Sequence, residues 1–322
     1  MCWRRPDVRL ALVLLTAATA AVAADREFSS PAIAFKLGFS NDGKSVVGVC
    51  EDGVVRFWDA ETGAVKRSLP LSTTPVWPVA LSDDAARAAA SDKSGLIRIW
   101  DLKNGELLQV LSGRNARLDA LKFSPDGKRL ASAGRDRRVR MGDLTTGKDA
   151  VTLEDGFGED VTLTFSPDGN LVAAPNTDTN IRVWNSQTGK LVALLDQLPL
   201  STFGLVFSSD GQHLAGAGVD RAVYIWNTAT WRLERKLEGQ PEMISVLALS
   251  PNGRILVAGG FNQFSVTNPV KVMVWDVASG KVVKSFDAPQ AVISAVVSPD
   301  GRSIAAATMG KSVQVWQITP PL

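Results

Sequence analysis

The chain has 322 residues, of which 35 are basic, 33 are acidic and one is histidine. The first 23 residues hold three arginines and Asp7, so the remainder has 32 basic and 32 acidic residues. It therefore lacks a net charge that would attract nucleic acid or an anionic membrane. The single histidine, His213, directly follows a predicted turn, which argues against a histidine-dependent catalytic triad and excludes a multi-histidine metal site.

Residues 1–23 have the pattern of a secretory signal peptide: three arginines, an apolar run over 10–20, and the small residues Ala21-Val22-Ala23. The run is shorter than the roughly 20 apolar residues that a membrane span needs. We therefore expect cleavage and export to the periplasm or the extracellular space, with an uncleaved anchor as the alternative. Residues 24–322 contain no other run that could cross a bilayer, and Cys50 alone cannot form an intramolecular disulfide.

After the signal, two sequence markers recur in the same register. The first marker is a tryptophan, replaced once by glycine, at intervals of 42, 42, 42, 42, 49 and 41 residues: Trp58, Trp100, Gly142, Trp184, Trp226, Trp275 and Trp316. The second is a turn that begins with serine, at Ser40, Ser82, Ser124, Ser166, Ser208, Ser250 and Ser298. Two markers in one register predict seven copies of one supersecondary unit, in a single domain over residues 24–322.

The copy over residues 118–154 shows the predicted unit. Leu121 and Phe123 alternate with other residues, and Ser124-Pro125-Asp126-Gly127 reverses the chain. A second apolar segment, a third strand around Val139, another turn and a fourth strand follow. Four short antiparallel strands with two apolar faces are not stable alone in water, so copies of the unit are expected to pack against each other.

At this point the chain resembles the WD40-repeat family. The closing dipeptide of that family stands at Trp58-Asp59, Trp100-Asp101 and Trp275-Asp276, with variants in the other copies. The resemblance implies an all-β fold, a seven-bladed β-propeller whose four-stranded antiparallel blades surround a central channel. The family's Gly-His pair is missing, so its histidine-centred hydrogen-bond network is not expected here.

Both ends of the chain are expected to contribute to the last blade. The sequence stops soon after Ile318, without a fourth strand for that blade. Residues 24–29 lie just before the first blade and could supply it. We therefore predict that this N-terminal strand closes the ring.

Aromatic residues that depart from the repeat are the first candidates for partner binding. Phe35, Trp77 and Phe203 stand near the start of inner strands, and Phe261 and Phe264 belong to an insertion of about seven residues in the sixth copy. By analogy with the family, both positions lie on the top face, beside the channel mouth. Exposed aromatic anchors dominate protein interfaces. The alternatives are rings that fill the channel or pack between blades, and an insertion that folds over its neighbour.

The third copy is the most basic part of the repeat. Residues 114–149 have ten basic and five acidic residues. Arg117, Arg135 and Arg137, together with Arg114 and Arg138, are expected near one rim, where they would suit an acidic peptide or polyanion. The alternative is an ordinary solvated surface.

Two substitutions within the repeat are expected to change packing. Gly142 removes a large indole, which leaves a hole unless neighbouring side chains fill it. Trp231 stands where other copies have glycine in a tight turn. Because tryptophan tolerates a positive φ angle poorly, we expect the turn of the fifth copy to differ.

The sequence therefore predicts a non-catalytic, exported propeller that binds a protein or peptide through its top face, without a cofactor or metal, and is monomeric by itself. A lectin-like propeller that binds a glycan or small ligand through Trp77 and Phe203 is the alternative. A propeller hydrolase is disfavoured, because the aspartates that could act as paired carboxylates belong to predicted turns.

Overall fold

The computed structural model describes residues 24–112, 116–154, 162–176, 178–196, 201–262 and 264–318. The predicted signal peptide lies outside these residues. Within them the chain forms 28 β-strands and no helix. The signal therefore remains a prediction, whereas the all-β character of the described residues is confirmed.

The strands fall into seven sheets of four, and each sheet is one blade. Blades 1 to 3 comprise β2 (Ala34–Phe39), β3 (Ser45–Cys50), β4 (Val54–Asp59), β5 (Val65–Pro70); β6 (Val79–Leu81), β7 (Arg87–Ser91), β8 (Ile97–Asp101), β9 (Leu107–Leu111); and β10 (Leu118–Phe123), β11 (Arg129–Gly134), β12 (Arg138–Asp143), β13 (Lys148–Glu154). Blades 4 and 5 comprise β14 (Thr164–Phe165), β15 (Leu171–Pro175), β16 (Ile181–Asn185), β17 (Leu191–Leu195); and β18 (Thr202–Phe207), β19 (His213–Gly218), β20 (Val223–Asn227), β21 (Leu233–Leu237). Blades 6 and 7 comprise β22 (Met243–Leu249), β23 (Ile255–Phe261), β24 (Val270–Asp276), β25 (Lys281–Ala288); and β26 (Val292–Val297), β27 (Ser303–Thr308), β28 (Ser312–Gln317), β1 (Arg26–Ser29).

All neighbouring strands within a blade are antiparallel, and in blades 1 to 6 they follow chain order. The seven inner strands, β2, β6, β10, β14, β18, β22 and β26, surround a common channel. The structure thus confirms the seven-bladed propeller of four-stranded antiparallel blades.

The N-terminal strand closes the ring, as predicted. Strand β1 pairs with β28 as the outermost strand of blade 7, with Phe28 opposite Val313. Phe28 is 2% exposed. Its ring also contacts blade 1, because a Cβ added at Gly63 would lie 2.4 Å from Phe28. The side chain of Phe28 therefore joins the last blade to the first.

The repeated serine turn is held by the same hydrogen bonds in every blade. The serine hydroxyl donates to a carboxylate or amide oxygen two residues later at 2.5–2.6 Å, as Ser166 does to Asp168. The hydroxyl oxygen also accepts the N–H five residues later, as from Leu171 at 2.9 Å. These bonds give the turn aspartates a structural role.

Hydrophobic clusters fill the spaces between blades, and six of the seven clusters contain one of the repeated tryptophans. The cluster between blades 2 and 3 has none, because Gly142 stands at that position. Leu118, Phe123 and Leu130 occupy this cluster together with Ile97 and Ile99, and none of these five side chains is more than 1% exposed. Aliphatic side chains and one phenylalanine therefore form the core where the indole is missing.

The expectation that Trp231 changes its turn was wrong. Trp231 has φ of 54°, within the same left-handed region as Gly63 at 73°. Its N–H donates to the Asn227 carbonyl oxygen at 2.7 Å, as the Gly63 N–H donates to Asp59 at 2.9 Å. The indole packs, half-buried, against the core between blades 4 and 5. This packing offsets the unfavourable backbone angle, so the turn keeps its form.

Aspartate–arginine pairs recur at one corner of several blades. Asp52 and Arg56 approach to 2.6 Å, Asp136 and Arg140 to 2.5 Å, and Asp178 and Arg182 to 2.8 Å. In blade 5 the Tyr224 hydroxyl donates to Asp220 at 2.6 Å. Each pair connects the turn before the third strand to that strand, so it braces the same corner of the blade.

Candidate binding surface at the channel mouth

The seven inner strands enclose a cavity of about 690 Å³. Phe35, Trp77, Asp119, Ser245 and Ile293 line it near the beginning of these strands. We call this end of the ring, with the loops that enter the inner strands and the loops between second and third strands, the top face.

A β-bulge places one residue of the inner strand outside the pairing ladder in five blades. In blade 1, Ala34 pairs with Cys50 and Lys36 with Val49, so the residue between Ala34 and Lys36 has no partner in the ladder. The same irregularity recurs in blades 3, 5, 6 and 7. The skipped residues are Phe35, Asp119, Phe203, Ser245 and Ile293. A bulge changes the direction of a side chain without ending the strand. Four of the skipped residues, all except Phe203, line the cavity near the channel mouth.

Phe35 and Trp77 form an aromatic pair across blades 1 and 2. Their ring centroids are 4.9 Å apart at an interplanar angle of 74°, an edge-to-face contact. Phe35 is half-buried against the core between these blades, whereas Trp77 is 46% exposed. Packing between blades, the alternative weighed above, therefore describes Phe35 in part, while Trp77 presents a large apolar surface to solvent.

The insertion in blade 6 contributes a second aromatic group. Phe261 is the last residue of β23, and its ring centroid lies 6.2 Å from that of Phe203 in blade 5. The loop also contacts blade 7, because the Ala291 N–H donates to the Val266 carbonyl oxygen at 3.0 Å. Phe264 is 86% exposed. The insertion therefore folds against its neighbours and still leaves one phenylalanine in solvent.

The arginines of blade 3 lie together on the top face. The Arg135 N–H donates to the Arg117 carbonyl oxygen at 3.0 Å, and Arg137 follows in the same turn with φ of 62°. All three side chains are exposed. Arg117 Nε lies 3.7 Å from the buried Asp119 carboxylate. The structure thus brings together the three predicted arginines, whereas Arg114 lies outside the described residues.

The sequence matches the family model for the WD domain, G-beta repeat, over residues 29–59, 105–143, 152–185, 201–227 and 280–317. These segments cover just over half of the chain and reach all seven blades, although in blades 2 and 6 they include only the outer strand. The chain belongs to the WD40 family. No curated protein is significantly similar to it. WD40 propellers are commonly protein-interaction scaffolds and are typically non-catalytic.

The channel of this WD40 propeller contains a lysine that the sequence reasoning missed. Lys36 lines the cavity on the inner strand of blade 1. Burial, followed by the nearby charge of Lys122, lowers the pKa of Lys36 to about 8, although Asp83 acts in the opposite direction. Lys36 lies four residues before the repeated serine Ser40, and only blade 1 has a charged residue at this position. The other copies have Pro78, Ala120, Thr162, Gly204, Val246 and Ser294. This difference between the copies could have identified Lys36 from the sequence.

Among the residues described, no group of three or more His, Cys, Asp and Glu side chains could hold a metal ion. His213 Nε2 of β19 lies 3.1 Å from the Glu234 carboxylate of β21, across the intervening strand β20. In the same part of the chain, no helix is long and apolar enough to span a membrane.

Proposed function

We propose that this WD40 propeller is an exported, non-catalytic scaffold that binds a protein or peptide on its top face. The observation that carries the proposal is the exposure of Trp77 at the channel mouth, edge-to-face on Phe35. A tryptophan backed by a packed ring loses little conformational freedom on binding. Such residues are frequent hot spots, and their truncation to alanine costs about 2 kcal/mol or more.

The neighbouring arginines suggest the charge of the partner. Arg117, Arg135 and Arg137 lie in blade 3, next to blade 2, whose inner strand follows Trp77. Arginine binds carboxylates through bidentate hydrogen bonds, and an exposed group of arginines also attracts acidic segments over a distance. We infer an acidic protein segment that also carries an apolar side chain for Trp77. Phe264, exposed in the loop between the second and third strands of blade 6, supplies a further apolar contact.

Export is part of the proposal and depends on the pattern of residues 1–23. N-terminal sequencing of the protein purified from its native host tests it. A mature chain that begins at Ala24 supports export, whereas a chain that retains residues 1–23 in the soluble cell fraction contradicts it.

The binding proposal is tested by affinity capture with the mature protein, with Trp77→Ala and Phe264→Ala as test variants. Leu108→Ala is the matched control, because Leu108 is 51% exposed but lies on the outer strand of blade 2. We expect Trp77→Ala to weaken capture of a specific partner by about 30-fold, the equivalent of 2 kcal/mol. The control should bind as the unchanged protein does.

Equal capture by Trp77→Ala and Leu108→Ala would contradict the top-face assignment. Binding on a glycan array, together with failure to recover any protein after crosslinking, would favour the lectin-like alternative. Circular dichroism and thermal unfolding of each variant verify that the propeller is intact.

A further inference from the structure

The channel contains one more positive charge than its ion pairs neutralise. Lys122 Nζ lies 3.0 Å from Asp83, and Arg117 Nε lies 3.7 Å from Asp119. Among the described residues, no hydrogen bond or ion pair engages the Lys36 ammonium. Lys36 shares the cavity with all the charged side chains just named except Arg117. Lys36 is partly buried in the channel, and the nearby Asp83 is already paired with Lys122. A partly desolvated ammonium without a carboxylate of its own attracts an anion.

The rest of the channel surface narrows the choice of anion. Val206, Val246 and Ile293 line the cavity and are only partly buried, so their apolar surface faces the channel. The cavity volume of about 690 Å³ is within the range of small-molecule sites. Asp83 and Asp119 would repel additional negative charge. Two lysines and two aspartates line the cavity, and because Asp83 pairs with Lys122 and Asp119 with Arg117, Lys36 is the cation left to pair with a ligand. One such cation beside apolar side chains fits a single negative charge on an apolar body.

We propose that the channel binds an organic monocarboxylate, with its carboxylate against Lys36 and its apolar body along the inner strands. The site adjoins the partner surface around Trp77, because Trp77 and Phe35 line the same cavity at the channel mouth. Binding stabilises the charged form of Lys36, because an opposite charge favours the ammonium. Binding should therefore raise the pKa of Lys36, and this rise can be measured.

The experiment measures the pKa of Lys36 in the mature propeller by NMR after reductive ¹³C-methylation of its lysines. The Lys36→Arg variant assigns the signal, because it keeps the positive charge and lacks only that methylated amine. Hexanoate is the probe, 1-hexanol is the neutral probe of the same length, and inorganic phosphate at equal ionic strength is the polar anion. We expect excess hexanoate to raise the pKa of Lys36 by about one unit and 1-hexanol to leave it unchanged.

Thermal unfolding gives an independent measurement. Hexanoate should raise the melting temperature of the unchanged protein and of Lys36→Arg, and should lose this effect in Lys36→Met. Lys93→Met, at an exposed lysine in the loop between β7 and β8, is the matched control and should respond like the unchanged protein. An unchanged pKa of Lys36 in hexanoate would overturn the proposal. A larger pKa shift in phosphate than in hexanoate would also overturn it.

Discussion

Truncation of Phe28 tests whether the N-terminal strand is needed to hold the ring together. Phe28 is 2% exposed and packs with Trp58, Val313 and Val315 between blades 7 and 1. Phe28→Ala removes a buried aromatic ring, for which the loss of transfer free energy and the remaining cavity together cost about 3–5 kcal/mol. Because the ring also contacts the turn at Gly63, the neighbouring blade cannot collapse into the space without moving its backbone. We therefore expect the full cost.

The assay is urea unfolding followed by tryptophan fluorescence, with the free energy of unfolding extrapolated to water. Glu27→Ala is the control, since Glu27 lies on the same strand with an exposed side chain and should change stability by no more than about 0.5 kcal/mol. A loss below about 1 kcal/mol for Phe28→Ala would refute the reasoning, because it would mean that β1 is dispensable for ring closure.

Two further predictions concern the core between blades 2 and 3 and the repeated turns. Leu118→Ala should lower the free energy of unfolding in urea by about 2–5 kcal/mol, because Leu118 is buried in this core. Leu108→Ala, at an exposed leucine, is the control. A loss equal to that of the control would show that Leu118 does not replace the missing indole. The Ser166 hydroxyl donates to Asp168 and holds the pKa of that carboxyl below its usual value. The ionised carboxylate therefore stabilises the fold at pH values above the pKa of an aspartate in the unfolded chain, near 3.9. This contribution is lost as the pH falls through the lower pKa of the folded protein. Asp168→Asn should therefore lose less stability between pH 5 and pH 2 than the unchanged protein in thermal unfolding scans, and identical pH profiles would contradict the assignment.

The blade count and ring closure could be predicted because they depend on residues that recur with the repeat. The serine turn and the buried tryptophan each have one local role, which every blade reproduces. The N-terminal strand followed from the same periodicity, since the last copy lacked one strand. The prediction failed at Trp231, where packing against the neighbouring blade outweighs the preference of a turn for glycine. This contact between blades cannot be predicted from the local sequence of the turn.

The candidate site was only partly accessible from sequence. The positions of Phe35 and Trp77 near the mouth followed from the repeat, but their edge-to-face contact depends on how adjacent blades pack. Lys36 was missed because one lysine within an apolar strand is unremarkable until seven strands surround it. The pairing of Arg56 with Asp52 was also missed, since the sequence pointed only to the absent histidine.

The bulges at the channel mouth have a consequence for protein engineering. Phe35, Asp119, Phe203, Ser245 and Ile293 take no part in the inner-strand ladders, so their replacement leaves the backbone hydrogen bonds between these strands intact. Each of these five blades therefore offers a position whose side chain can be varied without changing strand pairing. Simultaneous randomisation of these codons would give a library of recognition surfaces on one constant frame.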